Sequence, residues 1–235
     1  MALPRIDSPK YELKVPSTGA VVEYRPYLVK EEKILMMAME TKDQQQMIRA
    51  LRDVIAGCTE GKIQADNLAM FDLEYVFLKI RGKSVGETSK VGMKCSECGH
   101  KNEVEIDLDK VEVQGEVKKS VKVALTDSVG VVLKYPTVKG IQKQLSKQGG
   151  NDREITMAAV ASAIESIYDA ANVYPAEDEK AEDIVGFLDS LTSSQFKKIS
   201  EYFEDMPRLK HEVKYTCGSC KAENKQTLEG LTNFF

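Results

Sequence analysis

The chain has 235 residues, of which 42% are hydrophobic and 30% charged, a balance typical of a folded globular protein with an ample core. Its formal net charge of -4 disfavours a strongly basic nucleic-acid-binding protein, because phosphate backbones are bound by positive surfaces. No apolar run approaches the roughly 18 to 20 residues that span a bilayer, so no membrane contact is expected. Residues 1–7 lack the apolar stretch of a secretory signal, which predicts a reducing, cytosolic setting.

The N-terminal part of the chain predicts a strand pair followed by helices. Polarity alternates on either side of the turn sequence Pro16-Ser-Thr-Gly19, as expected for a β-hairpin of residues 11–15 and 20–25. Apolar residues then recur at intervals of three and four, which predicts helices over residues 29–39, 43–56 and 67–81. Gly57 and Gly82 are predicted to end the second and third of these helices. The third helix is apolar on more than one face, which predicts a central place in a helical core.

The rest of the chain mixes strands with helices. Short alternating runs predict strands at residues 103–109, 111–113, 121–125, 129–135 and 210–216, and a last strand in the tail 226–235. Helical periodicity predicts helices at residues 136–148, 153–171, 181–191 and 193–203. Thr192 or Ser193 is the expected N-cap of the last helix. The long helix 153–171 is expected to place its apolar residues on one face: Ile155, Ala159, Ile164, Ile167 and Tyr168.

Two copies of one cysteine pattern carry the clearest chemical signal, Cys95-Ser-Glu-Cys98 and Cys217-Gly-Ser-Cys220. Each pair lies between predicted strands, so two thiols are presented at each hairpin turn. Pairs at this spacing supply half of the ligands of a four-cysteine zinc site. We therefore predict one structural Zn2+ per chain, bound by Cys95, Cys98, Cys217 and Cys220. Structural zinc contributes about 10 to 16 kcal/mol in small zinc fingers, which exceeds a loop-closure cost that grows only with the logarithm of length.

The remaining histidines, the fifth cysteine and the charged runs are weaker candidates for ligands or reactive groups. His100 and His211 lie near the two pairs and remain alternative ligands, although a surface position suits both better. Cys58 has no basic neighbour in the sequence that would lower its pKa, which favours a buried thiol over a nucleophile. The lysines at helical spacing, Lys139, Lys143 and Lys147, and the acidic stretch 175–183 are expected to be solvated surfaces.

The sequence carries no motif of an enzyme active site. It has no glycine-rich phosphate loop, no HExxH and no GxSxG, and it contains only two histidines. The predicted fold class is α+β, with a helical core, an N-terminal β-hairpin and a zinc-ribbon-like β element interrupted by a mixed insertion. The predicted division is 1–90 for the strand pair and helical core, 91–110 with 210–235 for the zinc element, and 111–209 for the insertion.

Several segments resemble one known family. They are Leu13-Lys-Val-Pro-Ser-Thr-Gly19, Glu23-Tyr-Arg-Pro-Tyr27, the run from Val29 to Leu35, the run from Phe71 to Arg81 with Gly86, and the first cysteine pair. The chain resembles the T4-type bacteriophage baseplate proteins, specifically the baseplate hub and hub-assembly proteins of this length. The resemblance covers the first hundred residues well. The remainder matches only in the order and general character of its segments.

The resemblance implies a function and partners. It implies a non-enzymatic tail protein that acts in hub assembly, or as a hub subunit, of a contractile tail baseplate. Its partners would be other phage baseplate, hub or tail proteins, with no small-molecule substrate and no nucleic acid. The protein would be made in the host cytoplasm, with a place in the virion tail left open. The segment of Glu23–Tyr27 and Glu31–Lys33 is expected to pack in the helical core or against a partner.

Two other functions remain as alternatives. Zinc ribbons are common in nucleic-acid-binding accessory factors, so a transcription or replication factor is the main rival, although the net negative charge disfavours it. A redox enzyme that uses a CxxC pair is weaker, because neither pair sits between a strand and a helix as in thioredoxin-like proteins.

Overall fold

The computed structural model describes residues 6–41, 43–145 and 152–234, and it is an α+β structure, as predicted. The chain forms two compact units. Unit 1 comprises the described residues of Met1–Ala65, Phe71–Gln114 and Arg208–Phe235. Unit 2 comprises Asp66–Met70 and the described residues of Gly115–Pro207. The three-part division suggested by the sequence stays a prediction.

Unit 1 begins with the predicted strand pair and helices. Its elements in this part are β1 (Tyr11–Lys14), β2 (Val21–Tyr24), α1 (Val29–Thr41), α2 (Gln44–Cys58) and α3 (Met70–Val85). The strands pair antiparallel, and Gly19 takes a φ of +71° in the turn between them. Helix α3 buries residues on several sides, among them Leu73, Val76, Leu78 and Ile80, which confirms its central place in the core.

The prediction that two glycines end helices is wrong. Gly57 lies inside α2 and Gly82 inside α3. A Cβ on Gly57 would lie 3.2 Å from Oε1 of Glu31, and one on Gly82 would lie 3.9 Å from Cβ of Leu108. Glycine at position 57 therefore admits a close neighbour that lies on another element, and sequence alone does not reveal such a neighbour.

The cysteine-bearing part of unit 1 begins after α3. It comprises β3 (Thr88–Lys94), β4 (Lys101–Asp107) and β5 (Glu112–Gln114). Strands β3 and β4 form an antiparallel hairpin whose turn carries the first cysteine pair. The chain then passes into unit 2.

Unit 2 is a four-stranded antiparallel sheet with helices. In chain order its elements are β6 (Val121–Ala124), β7 (Gly130–Leu133), α4 (Val138–Leu145), α5 (Asp152–Ala163), β8 (Ile164–Tyr168), β9 (Val173–Pro175), α6 (Ala181–Asp189) and α7 (Ser193–Glu204). The sheet order is β6-β7-β8-β9. The core lies between the sheet and the helices, where Leu133, Ile164, Leu188 and Ile199 are fully or almost fully buried. Thr192, one of the two predicted N-cap candidates, caps α7 and forms a capping box with Gln195.

The long helix predicted over 153–171 is wrong in its second half. Helix α5 ends at Ala163, and the next residue begins β8, which pairs with β7. The sequence Ile164-Glu-Ser-Ile-Tyr168 fits both a helical and an alternating pattern, and the open edge of β7 selects the strand. The end of the helix predicted at 136–148, with Lys147, lies outside the described residues.

The chain returns to unit 1 with β10 (Arg208–Thr216) and β11 (Glu223–Glu229). These form a sheet in the order β11-β10-β5, in which Arg208 pairs with Gln114. The chain therefore leaves and re-enters unit 1 at neighbouring positions. The tail is a strand only to Glu229, and a short 3-10 helix follows that buries Phe234 completely. None of the described helices combines the length and the apolar character needed to cross a membrane.

Candidate metal centre

The two cysteine pairs lie on hairpin turns of the same geometry. In the first, the backbone N–H of Cys95 donates to the carbonyl of His100 at 2.9 Å, and Gly99 donates back to Cys95 at 3.0 Å. In the second, Cys217 donates to Ala222 at 2.9 Å, and Lys221 donates back to Cys217 at 3.1 Å. The residue after the second cysteine has a positive φ in both turns, +70° at Gly99 and +62° at Lys221. The repeated sequence pattern therefore becomes a repeated structure.

The four sulfur atoms converge as a metal site requires. All four Sγ atoms lie within 4.8 Å of one another. Two of the contacts join the hairpins, with Sγ of Cys95 3.6 Å from Sγ of Cys220 and Sγ of Cys98 3.7 Å from Sγ of Cys217. Four sulfurs placed tetrahedrally at about 2.3 Å from zinc lie about 3.8 Å from each other. The cysteines of both pairs can therefore hold one metal ion.

The electrostatics of the cluster also favour a cation. The backbone N–H groups of Cys220 and Ser219 lower the pKa of Cys217 to about 6, and the N–H of Cys98 heads the groups that lower the pKa of Cys95. The N–H of Ala222 favours the thiolate of Cys220, but the neighbouring thiols outweigh it and raise that pKa to about 12. Like charges this close resist joint ionisation, and a divalent cation removes that resistance.

Two asparagines also contact the sulfur atoms, and neither was predicted from the sequence. Asn224 directs Nδ2 at Sγ of Cys95, 3.5 Å away, and Asn102 directs Nδ2 at Sγ of Cys217, 3.7 Å away. Both asparagines stand four residues after the second cysteine of their own hairpin, in Cys98-Gly-His-Lys-Asn102 and Cys220-Lys-Ala-Glu-Asn224. The extended repeat, C-x2-C-x3-N, was the signal that could have found them.

The comparison with protein families identifies the chain's relatives. A family model described as T4 bacteriophage base plate protein matches residues 8–235. The chain belongs to this family. The match extends over nearly all of the sequence and confirms the resemblance inferred from the first hundred residues. No curated protein and no solved structure matches the chain.

Further contacts hold the two cysteine hairpins of the baseplate protein together. The carbonyl oxygen of Lys94, next to Cys95, accepts hydrogen bonds from the Tyr215 hydroxyl at 2.9 Å and from Nε2 of Gln226 at 2.6 Å. The Ser89 hydroxyl of β3 donates to the carbonyl of Phe234, in the 3-10 helix that follows β11, at 2.8 Å. The hairpins thus have protein contacts of their own beside the sulfur cluster.

The remaining residues singled out in the sequence lie elsewhere. His100 is exposed, His211 is half-buried, and neither belongs to the ligand cluster found among the described residues. Cys58 is buried, and burial raises the pKa of its thiol to about 11, as expected for an unreactive cysteine. Lys139 and Lys143 are exposed on α4.

The segment around Arg25 packs inside unit 1 of the baseplate protein. Tyr24 is buried, and Nη2 of Arg25 lies 2.9 Å from Oε1 of the buried Glu31. The sequence left open whether this segment meets the core or a partner. In the structure Tyr24 and Glu31 are buried in unit 1, whereas Glu23, Glu32 and Lys33 are exposed.

The exposed side of α1 carries four large apolar residues among the charged residues Lys30, Glu32, Lys33 and Glu40. Met36, Met37 and Met39 have 58%, 68% and 63% of their surface exposed, and Val29 has 65%. We call these four residues the α1 face. Methionine is flexible and polarisable, and it is frequent on surfaces that bind other proteins.

Proposed function

We propose that this baseplate protein is a non-enzymatic component of the central hub of a contractile-tail baseplate, acting in hub assembly or as a hub subunit. The observation that carries the proposal is the family match over residues 8–235. Membership of a baseplate family implies contacts with other tail or baseplate proteins. The protein would be made in the host cytoplasm and would act where the hub is built.

We further propose that Cys95, Cys98, Cys217 and Cys220 bind one zinc ion. The sulfur positions support this, since all lie within 4.8 Å of one another. A metal with four protein thiolates has no open position for water or substrate, so its role would be structural. It would join two hairpins that are far apart in sequence and thereby stabilise unit 1.

The α1 face supports the proposed role in assembly. Large apolar side chains that are exposed to this extent lower the solubility of a monomer unless a partner covers them. We propose another baseplate or tail protein as that partner. The net charge of -4 opposes the nucleic-acid alternative.

Two measurements test the proposal. Purified protein should contain one zinc per chain, and its thiols should resist modification until a chelator is added, with Cys58 protected by burial in both states. Tagged protein from phage-infected cells should co-purify with hub proteins. Zinc-free protein with four reactive thiols would remove the metal site. Strong DNA binding that weakens steeply with salt, without tail proteins, would favour the zinc-ribbon alternative.

A further inference from the structure

We infer that Asn102 and Asn224 are positioning residues of the metal centre, each supplied by one cysteine hairpin to orient a ligand of the other. The inference rests on the proposed four-cysteine metal site. It adds two side chains, and a reciprocal arrangement, to a site otherwise defined by its sulfurs.

Asn224 extends from β11 to the first hairpin. Its Oδ1 accepts hydrogen bonds from the backbone N–H of Ser96 at 2.9 Å and from the Ser96 hydroxyl at 3.0 Å. Its Nδ2 donates to Sγ of Cys95 at 3.5 Å and to the carbonyl of Ala222 at 3.0 Å. The side chain is buried, with 5% of its surface exposed. Every polar atom of the amide therefore has a partner.

Asn102 makes the equivalent contacts from the first hairpin to the second. From β4, its Oδ1 accepts from the backbone N–H of Gly218 at 2.9 Å. Its Nδ2 donates to Sγ of Cys217 at 3.7 Å and to the carbonyl of His100 at 3.0 Å. In both hairpins the amide contacts the first cysteine of the other pair, the residue after that cysteine, and a carbonyl two residues before itself. The two hairpins therefore make equivalent contacts, and the asparagine of each one binds the cysteine turn of the other.

The orientation of each amide follows from its partners. A backbone N–H can only donate, so the amide oxygen must face Gly218 or Ser96, and this directs the NH2 group to sulfur and carbonyl. An N–H···S bond stabilises negative charge on a thiolate. Four thiolates around Zn2+ carry a net charge of -2 in formal terms, so donors from the protein offset the excess. The same bonds join the hairpins before any metal arrives, which lowers the cost of bringing four ligands together.

The key variants are Asn102→Asp and Asn224→Asp. Aspartate keeps an oxygen for the backbone N–H but replaces the N–H donor to sulfur with an anionic oxygen. Ser219→Asp is the matched control, because it adds the same charge to an exposed position of the second hairpin and removes no donor. Zinc affinity is measured by competition with a chromophoric chelator, and the sulfur-to-cobalt absorption of the Co2+ protein reports the ligand geometry.

We expect each asparagine variant to bind zinc about 10- to 100-fold more weakly than wild type and to alter the Co2+ spectrum. Ser219→Asp keeps both asparagine donors and the backbone N–H of residue 219, so its affinity should fall less than that of either asparagine variant, and its Co2+ spectrum should keep the wild-type form. The inference is overturned if the asparagine variants match Ser219→Asp. If wild-type protein itself binds no zinc, the proposed metal site has failed, and that outcome is distinct because it appears without any variant.

A second measurement needs no variant. In protein loaded with 113Cd and labelled with 15N, hydrogen bonds to metal-bound sulfur transmit scalar coupling from cadmium to the donor proton. We expect couplings from the side-chain amides of Asn102 and Asn224. Backbone couplings without these two side-chain signals would overturn the inference and leave the metal site intact.

Discussion

The guanidinium of Arg25 and the carboxylate of Glu31 form an ion pair that joins the end of the first hairpin to the start of α1 and the end of α2. Besides the contact at 2.9 Å, Nη2 of Arg25 donates to the carbonyl of Gly57 at 3.1 Å, and the backbone N–H of Arg25 donates to the carbonyl of Cys58 at 2.9 Å. Oε2 of Glu31 accepts from the N–H of Leu28 at 2.8 Å. A cation at the C-terminus of α2 also satisfies carbonyls that the helix leaves unpaired.

Removing the charge of Glu31 should destabilise the protein. In Glu31→Gln the guanidinium of Arg25 stays mostly buried without its anion, so we expect the free energy of unfolding to fall by about 3 kcal/mol. Urea unfolding measures the change. The neighbouring Glu32→Gln is the control, since Glu32 is exposed and its loss should cost less than about 0.5 kcal/mol. Equal effects of the two substitutions would contradict the role of the ion pair.

The same carboxylate should make stability depend on pH in the acid range. Burial alone would raise the pKa of Glu31, but hydrogen bonds from Arg25 and the N–H of Leu28 outweigh it, and the pKa falls below its ordinary 4.5. A carboxyl group with a lowered pKa stabilises the fold above its unfolded value, and this contribution is lost as the pH falls through the folded value. Unfolding followed from pH 7 downward should show the loss, and Glu31→Gln should show a shallower slope.

Removal of zinc should lower the free energy of unfolding by the amount that zinc binding to the folded state contributes. At a free zinc concentration about 100-fold above Kd, binding to the folded state alone adds about 2.7 kcal/mol, which a chelator would abolish. Cys220→Ser should reproduce the loss and make the melting temperature insensitive to zinc. Ser219→Ala, at the adjacent exposed position, should melt as wild type does at every zinc concentration. A zinc-independent melting temperature in wild type would contradict this prediction.

The α1 face should matter for assembly and little for folding. Replacing Met36, Met37 and Met39 together by glutamine should change the free energy of unfolding by less than about 0.5 kcal/mol, because these side chains are exposed. Recovery of hub proteins in a pull-down should drop by roughly tenfold, as expected when apolar anchors are lost from an interface. Val173→Gln, an apolar residue 64% exposed in unit 2, is the control. Undiminished recovery with the triple variant would show that the partner binds elsewhere.

The cap of α7 offers a local test of unit 2. The Thr192 side chain and Gln195 satisfy each other's backbone N–H groups, so Thr192→Ala should cost about 1 kcal/mol. Ser193→Ala, at the first position of the helix, removes no part of the capping box and should have a smaller effect. Thermal unfolding compares the two variants, and a loss confined to Ser193→Ala would disprove the assigned cap.

Local sequence patterns were sufficient to predict an element wherever its structure depends on residues within the same short segment. The strand pair around Gly19, helices α1 and α2, and the cap at Thr192 were predicted close to their observed positions. Each depends on residues within a few positions of one another, through side-chain periodicity, turn chemistry or a neighbouring backbone N–H. The helix predicted across Ile164 failed because its sequence satisfies two periods equally, and a distant strand, β7, decided between them.

The sequence by itself determined the four cysteines as a set, since spacing and redox setting make paired thiols a recognisable metal motif. Only the tertiary structure decided what surrounds them. Asn102 and Asn224 carry no chemical signature of their own. An asparagine donates a hydrogen bond to a cysteine sulfur only when the fold brings another part of the chain to it. The same reason explains Gly57, whose missing side chain makes room for the carboxylate of Glu31. Contacts between residues distant in sequence depend on the complete fold, and local periodicity does not contain them.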